Sequence, residues 1–160
     1  MLKINIICVG TIKETFLKDA ILEYKKRLSK YVLINIEEVK EAKIESFDNV
    51  NLITRTLDEE GERILKKINK DDYLILVDLH GNEINSEEFA KILLNLKDNG
   101  SSTIDFVIGG TLGLSNKLRE RSNYKLCLSK MTFPHQLTRL ILLEQIYRAC
   151  KINNNESYHH

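Results

Sequence analysis

Leu128-Ser129-Lys130-Met131-Thr132-Phe133-Pro134-His135-Gln136-Leu137-Thr138-Arg139 joins a short apolar strand to a long C-terminal helix, and it holds the only proline of the chain. Lys125 to Leu128 reads as the end of the strand. Pro134 suits a first helical turn, because its ring fixes φ near the helical value and its missing N–H would be unpaired there anyway. Thr132 is then the expected N-cap. Leu137, Leu140, Ile141, Glu144, Gln145 and Arg148 recur at helical spacing, which puts His135 and Arg139 one turn apart on one face. A base and a fixed cation would point together there. Spacing alone leaves a second reading open, a capped helix start that carries a surface histidine.

Strands and helices alternate upstream of this stretch. Lys3 to Val9 is an apolar, β-rich run ending at Gly10, and Glu14 to Ser29 has Phe16, Leu17, Ala20, Ile21, Tyr24 and Leu28 at helical spacing. Tyr31 to Val39 is a strand with partly alternating polarity, as expected nearer a sheet edge. Glu41 to Asn51 is polar and poorly patterned, a surface loop. Thr54 to Ile68 is an amphipathic helix, and Tyr73 to Leu79 is a continuous apolar run that reads as a central strand covered on both faces. His80-Gly81-Asn82 is expected to turn the chain. Ser86 would cap a helix to about Asp98, Thr103 to Ile108 is another buried strand, and a short helix over Asn116 to Ser122 leads to the strand Tyr124 to Leu128. The alternation predicts one α/β domain over 1–160, with a mainly parallel sheet and helices on both faces.

Composition fits that reading. The chain has 160 residues, 42% hydrophobic and 29% charged, enough to bury a core without staples. No apolar run approaches the ~20 residues of a membrane span, and the N-terminus lacks a signal-peptide pattern, so a cytoplasmic protein without membrane attachment is expected. Cys8, Cys127 and Cys150 lie in apolar stretches without metal-like spacing, which predicts buried reduced thiols and no metal site. Net charge is only +1, yet residues 1–113 carry 16 Lys and Arg against 20 Asp and Glu, whereas residues 114–160 carry 8 against 3. That basic C-terminal third is either a phosphate-binding patch or a solvated face.

In an open parallel sheet, ligands lie beyond the carboxyl ends of the strands. Three such ends are unlike simple turns: Val77-Asp78-Leu79-His80-Gly81, Ile108-Gly109-Gly110-Thr111-Leu112-Gly113-Leu114 and Leu128 to Phe133. All three would line one pocket. The spacing of Gly109, Gly110 and Gly113 matches neither common nucleotide loop; a G-K-[ST] is missing, and the first strand-to-helix turn has one glycine where a dinucleotide fingerprint needs three. The glycines read equally as a tight turn or as a close approach of backbone to a ligand. Asp78, interrupting an apolar strand, needs a partner, either structural or a ligand.

These motifs resemble the small bacterial SPOUT methyltransferases of the RlmH type, which methylate N3 of a pseudouridine in large-subunit ribosomal RNA. The resemblance covers nearly the whole chain and rests on Phe106-Val107-Ile108-Gly109-Gly110, Gly113-Leu114, Arg121-Ser122-Asn123-Tyr124, Ser129 to Gln136, Glu144 to Ala149 and the tail Tyr158-His159. It implies a C-terminal trefoil knot, a homodimer packed through the knotted region, and S-adenosylmethionine bound inside the knot. The implied cofactor residues are Val77, Gly109, Gly110, Gly113, Leu114, Leu128, Ser129, Lys130, Met131, Thr132 and Phe133. The implied catalytic residues are His135, Arg139, Tyr158 and His159, with the tail reaching across the dimer. The near-neutral chain has no separate RNA-binding module, so the assembled ribosome is the expected partner. The competing readings are a nicotinamide-dependent oxidoreductase, a ribosome-associated factor without catalysis, and a related enzyme acting on transfer RNA.

Overall fold

The computed structural model describes residues 1–44 and 46–159; Glu45, in the expected loop, and His160, in the tail, lie outside the described residues. Ten elements follow in order: β1 Lys3–Val9, α1 Thr15–Leu28, β2 Leu33–Val39, α2 Val50–Leu65, β3 Tyr73–Glu83, α3 Ser86–Asp98, β4 Thr103–Ile108, α4 Asn116–Arg121, β5 Tyr124–Cys127 and α5 His135–Asn153. The strands form one sheet in the order β2-β1-β4-β3-β5, with every pairing parallel.

Parallel strands need covered faces, and side-chain alternation divides the core accordingly. Ile4, Ile6 and Cys8 of β1 with Ile104, Phe106 and Ile108 of β4 pack under α1, α3 and α5, through Leu17, Ile21, Phe89, Leu93, Leu142 and Ile146. Ile7, Val9, Leu74, Leu76 and Val107 face the other way, onto Ile64 of α2 and Leu118 of α4. Cys8, Cys127 and Cys150 are buried free thiols, and burial pushes Cys8 up to about 12 and Cys150 up to about 11, so neither is a ready nucleophile.

Local expectations fail at element ends. β3 does not stop at Leu79: it runs to Glu83, and Val77 and Asn82 both pair with Leu126, so Asp78 to Gly81 bulge out of the ladder. A Cβ on Gly81 would sit 2.7 Å from the Lys125 carbonyl oxygen, so this bulge closes against β5 only with glycine there. Thr132 does not cap α5; Pro134 is the N-cap, its carbonyl accepting from the Thr138 N–H at 3.0 Å. The helix therefore starts one residue past the proline, which frees Thr132. Asn85, not Ser86, caps α3, in a reciprocal capping box with Glu88. α2 starts at Val50 rather than Thr54, because the Asn49 side chain accepts from the N–H groups of Asn51 and Leu52.

One polar pair interrupts the second face. Asn5 donates to Asp105 Oδ1 at 2.7 Å, while Asp105 Oδ2, fully buried, has no partner among the described residues. Burial, then the neighbouring Asp72, raises the Asp105 carboxyl to about 7, so the neutral form is favoured well above the ordinary aspartate range. The folded state then holds the carboxyl proton more tightly than the unfolded chain. Stability is fully present below the ordinary aspartate range and is lost as pH rises through about 7. Urea midpoints measured from pH 5 to pH 8 should fall for the wild type and stay level across that window for Asp105→Asn.

Candidate active site

Since all five strands run the same way, their carboxyl ends share one rim, and three of the loops there close a cavity of about 410 Å³. The β3 bulge supplies Val77, Asp78, Leu79 and His80. The loop after β4 supplies Ile108 to Leu114, and the segment after β5 supplies Leu128, Ser129, Met131, Thr132 and Phe133, with His135 and Thr138 of α5 alongside. Every expected cofactor residue lies on this wall except Lys130, whose side chain is 86% exposed and points to Glu83 at 3.8 Å.

The tight-turn reading of the glycines is realised. Gly113, at φ +96°, donates its N–H to the Gly110 carbonyl at 3.1 Å, so the loop is a tight turn. A Cβ on Gly109 would collide with the Gly113 carbonyl, and the same turn forms one side of the cavity. Opposite, Ser129 Oγ accepts the Met131 N–H at 3.0 Å and shapes the descent toward Pro134.

Arg119, expected only as one member of the basic C-terminal third, is also on the wall. It forms an ion pair with Asp78, whose other oxygen accepts the His80 N–H at 3.1 Å. Asp78 is thus a paired carboxylate that pins the β3 bulge. An isolated carboxylate in an apolar strand was the available signal; the partner, on a short helix 41 positions away, left none.

His135 and Arg139 share a helix but not the cavity. His135 lines it and also a neighbouring hollow of about 550 Å³ that includes Gly10, Glu38 and Lys40. Arg139 is buried and turned to the ends of β1 and β2, donating to Glu38 Oε2 at 3.0 Å and to the Gly10 carbonyl at 3.3 Å. A buried guanidinium requires such acceptors, and that need overrides the expected common orientation.

The tail is docked on its own chain, outside the cavity. The Tyr158 ring packs edge-on against Tyr147 with centroids 4.9 Å apart, under the Arg148 guanidinium, and its hydroxyl donates to Glu144 at 3.3 Å. Burial pushes the Tyr158 phenol up to about 12. His159 Nδ1 meets Arg148 at 3.2 Å and Nε2 meets Glu87 at 2.8 Å. Arginine can only donate, so Nδ1 accepts and Nε2 carries the hydrogen. This clamp adjoins a hollow of about 330 Å³ that shares Leu128 and Phe133 with the main cavity.

A family model described as "Predicted SPOUT methyltransferase" matches residues 2–159, and the chain belongs to the SPOUT methyltransferase family, whose methyl donor is S-adenosylmethionine. Within it, the chain is 53% identical over 160 residues to a ribosomal RNA large subunit methyltransferase H of Clostridium botulinum, covering 99% of both. It is 48% identical over 158 residues to one of Clostridium acetobutylicum, again covering 99% of both. A solved structure of a probable methylase family protein from Haemophilus influenzae Rd KW20 aligns with 98% of this chain and 70% of its own, at TM-score 0.54 and 15% identity, which supports the fold alone. The oxidoreductase reading falls with the family.

Gly109→Ala should force the Gly loop open, lowering Tm by about 5 °C through overpacking of roughly 2 kcal/mol. Titration with S-adenosylhomocysteine should show at least about a tenfold loss of affinity; unchanged binding would separate the turn from the ligand site.

Proposed function

We propose that the protein transfers a methyl group from S-adenosylmethionine to N3 of a pseudouridine in large-subunit ribosomal RNA, on the assembled ribosome. One observation carries the reading: Ser129 to Phe133 and the Gly109 to Gly113 loop close a single cavity, in a chain about half identical, over its full length, to large-subunit ribosomal RNA methyltransferases. The wall suits the cofactor chemically. Val77, Ile108, Leu114, Leu128 and Phe133 offer apolar surface for a purine, and the glycine turn brings backbone groups to its edge. Val77, Gly109, Gly110, Gly113, Leu114 and Leu128 to Phe133 form the cofactor site in this reading, with Lys130 at its outer lip.

The cofactor supplies a methyl group already activated on a sulfonium. The protein's tasks are to align the acceptor ring, exclude water and take the N3 imide proton. His135, on the cavity wall at the head of α5, is the base in this reading. Arg139 holds that helix start against the ends of β1 and β2 and so acts as a positioning residue. Tyr158 and His159 would complete the acceptor side, supplied across a homodimer packed through the C-terminal region. Exposed Leu79 and Met131 at the cavity mouth support such a covered rim.

The reading includes a trefoil knot, in which the segment after β5 threads beneath the Gly109 to Leu114 loop before α5 packs on α1 and α3. It also includes a cytoplasmic setting; among the described residues, no helix is long and apolar enough to cross a membrane.

Purified protein should transfer labelled methyl to pseudouridine N3 in assembled ribosomes lacking the modification, and not to stripped ribosomal RNA or transfer RNA. Label on transfer RNA alone would replace the substrate, and label on none, with cofactor binding intact, would end the reading. Arg139→Ala should cut turnover by about 10²-fold while cofactor affinity stays within about twofold. Deleting residues 158–160 should likewise abolish transfer and spare cofactor affinity; full activity after the deletion would remove the tail from the mechanism.

A further inference from the structure

The charges on the cavity wall are unequal in what they still offer. Asp78 is the only carboxylate there among the described residues, and its side chain is 4% exposed. Both oxygens are already engaged, by Arg119 and by the His80 N–H. Burial keeps the rest of the carboxylate away from a ligand. Among the described residues, Arg119 is the only lysine or arginine on the same wall, and its side chain is 33% exposed. Only its Nη1 meets a side-chain partner among the described residues, whereas a guanidinium carries five N–H donors in a rigid plane. The ion pair with Asp78 fixes that plane and leaves Nε and Nη2 available at the cavity.

Such a fork matches a carboxylate in geometry and charge. S-adenosylmethionine and its product each have one anionic group, the α-carboxylate of the amino-acid end. We propose that Arg119 binds this carboxylate, with Asp78 as the residue that positions it, so that the pair distinguishes ligands with the amino-acid end from nucleosides without it. The inference rests on the cofactor reading of the cavity given above. The apolar wall of Ile108, Leu114, Leu128 and Phe133 receives the nucleoside part, and Arg119 marks where the amino-acid part leaves it. The contact is a charge-assisted bond at a partly wet edge, so its loss costs affinity without emptying the site.

Calorimetric titration with S-adenosylhomocysteine and with 5′-methylthioadenosine, which lacks the amino-acid end, tests this without reference to activity. The wild type should bind S-adenosylhomocysteine at least about tenfold more tightly than 5′-methylthioadenosine. In Arg119→Gln that preference should collapse, through about a tenfold loss for S-adenosylhomocysteine and a change within about twofold for 5′-methylthioadenosine. Arg119→Gln alone leaves Asp78 buried without its cation and risks disturbing the bulge, so the double variant Asp78→Asn with Arg119→Gln restores a neutral pair. It should give the same collapse. Equal losses for both ligands in the double variant would make Arg119 a mere support of the loop, and an unchanged preference would remove it from the site; either overturns the proposal. A wild type that binds neither ligand overturns the cofactor reading itself.

Discussion

A sheet whose strands all run one way and are buried on both faces leaves the chain one place to vary: the rim where the strands end. Ile4 and Ile6 cannot exchange faces with Ile7 without moving apolar side chains off their helices, so the register of β1, and of β4 beside it, is fixed by the core. Fixed register fixes where each strand stops. The loops after β3, β4 and β5 then meet because the neighbouring pairs β4-β3 and β3-β5 hold them at adjacent positions. The cavity follows from the core, and the chemistry of its wall from what those three loops contain.

The β3 bulge shows how local geometry and electrostatics are coupled. Four residues leave the ladder between Val77 and Asn82, which turns Asp78 toward α4, where Arg119 meets it. Gly81 then returns the chain to β5 at a distance no side chain permits. Each part depends on the others: without the ion pair the bulge would bury a lone charge, and without the glycine the strand could not rejoin its partner. On the central strand β4 the problem of a buried carboxyl is met differently: Asp105 accepts from Asn5, and burial raises its carboxyl well above the ordinary aspartate range.

Much of this is legible in the sequence, and the limits have physical causes. Continuous apolar runs such as Tyr73 to Leu79 and Thr103 to Ile108 announce strands covered on both faces, helical spacing identifies α1 and α5, and an amphipathic pattern identifies α2, so fold class and element order are readable. The three strand ends are readable too, since Gly109, Gly113 and the Ser129 to Phe133 run are poor material for plain turns. Element boundaries are less so. Asn85 takes the cap that Ser86 was expected to supply, and the cap at Asn49 starts α2 ahead of the expected Thr54; only backbone geometry decides such ends. Orientation is least readable. One helical turn relates His135 to Arg139, yet burial sends the arginine to Glu38 and leaves the histidine at the cavity. Arg119 reads from sequence only as one basic residue among several, because its pairing lies with a residue far away in the chain.

The clamp that holds Tyr158 and His159 is built largely from side chains fixed on α3 and α5, Glu87, Glu144, Tyr147 and Arg148, with Tyr24 of α1 beside Tyr158. In the proposed homodimer, the second copy would present the same groups in the same arrangement. A tail leaving one clamp for another exchanges like contacts for like, so the enthalpy of the exchange is close to zero. The balance between the two arrangements then rests on effective concentration and on the reach of the short link from Asn154, where Asn155 sits at φ 54°. In such a dimer, occupancy of the clamp would become a question of polymer statistics, adjustable through the length of that link without altering a single contact.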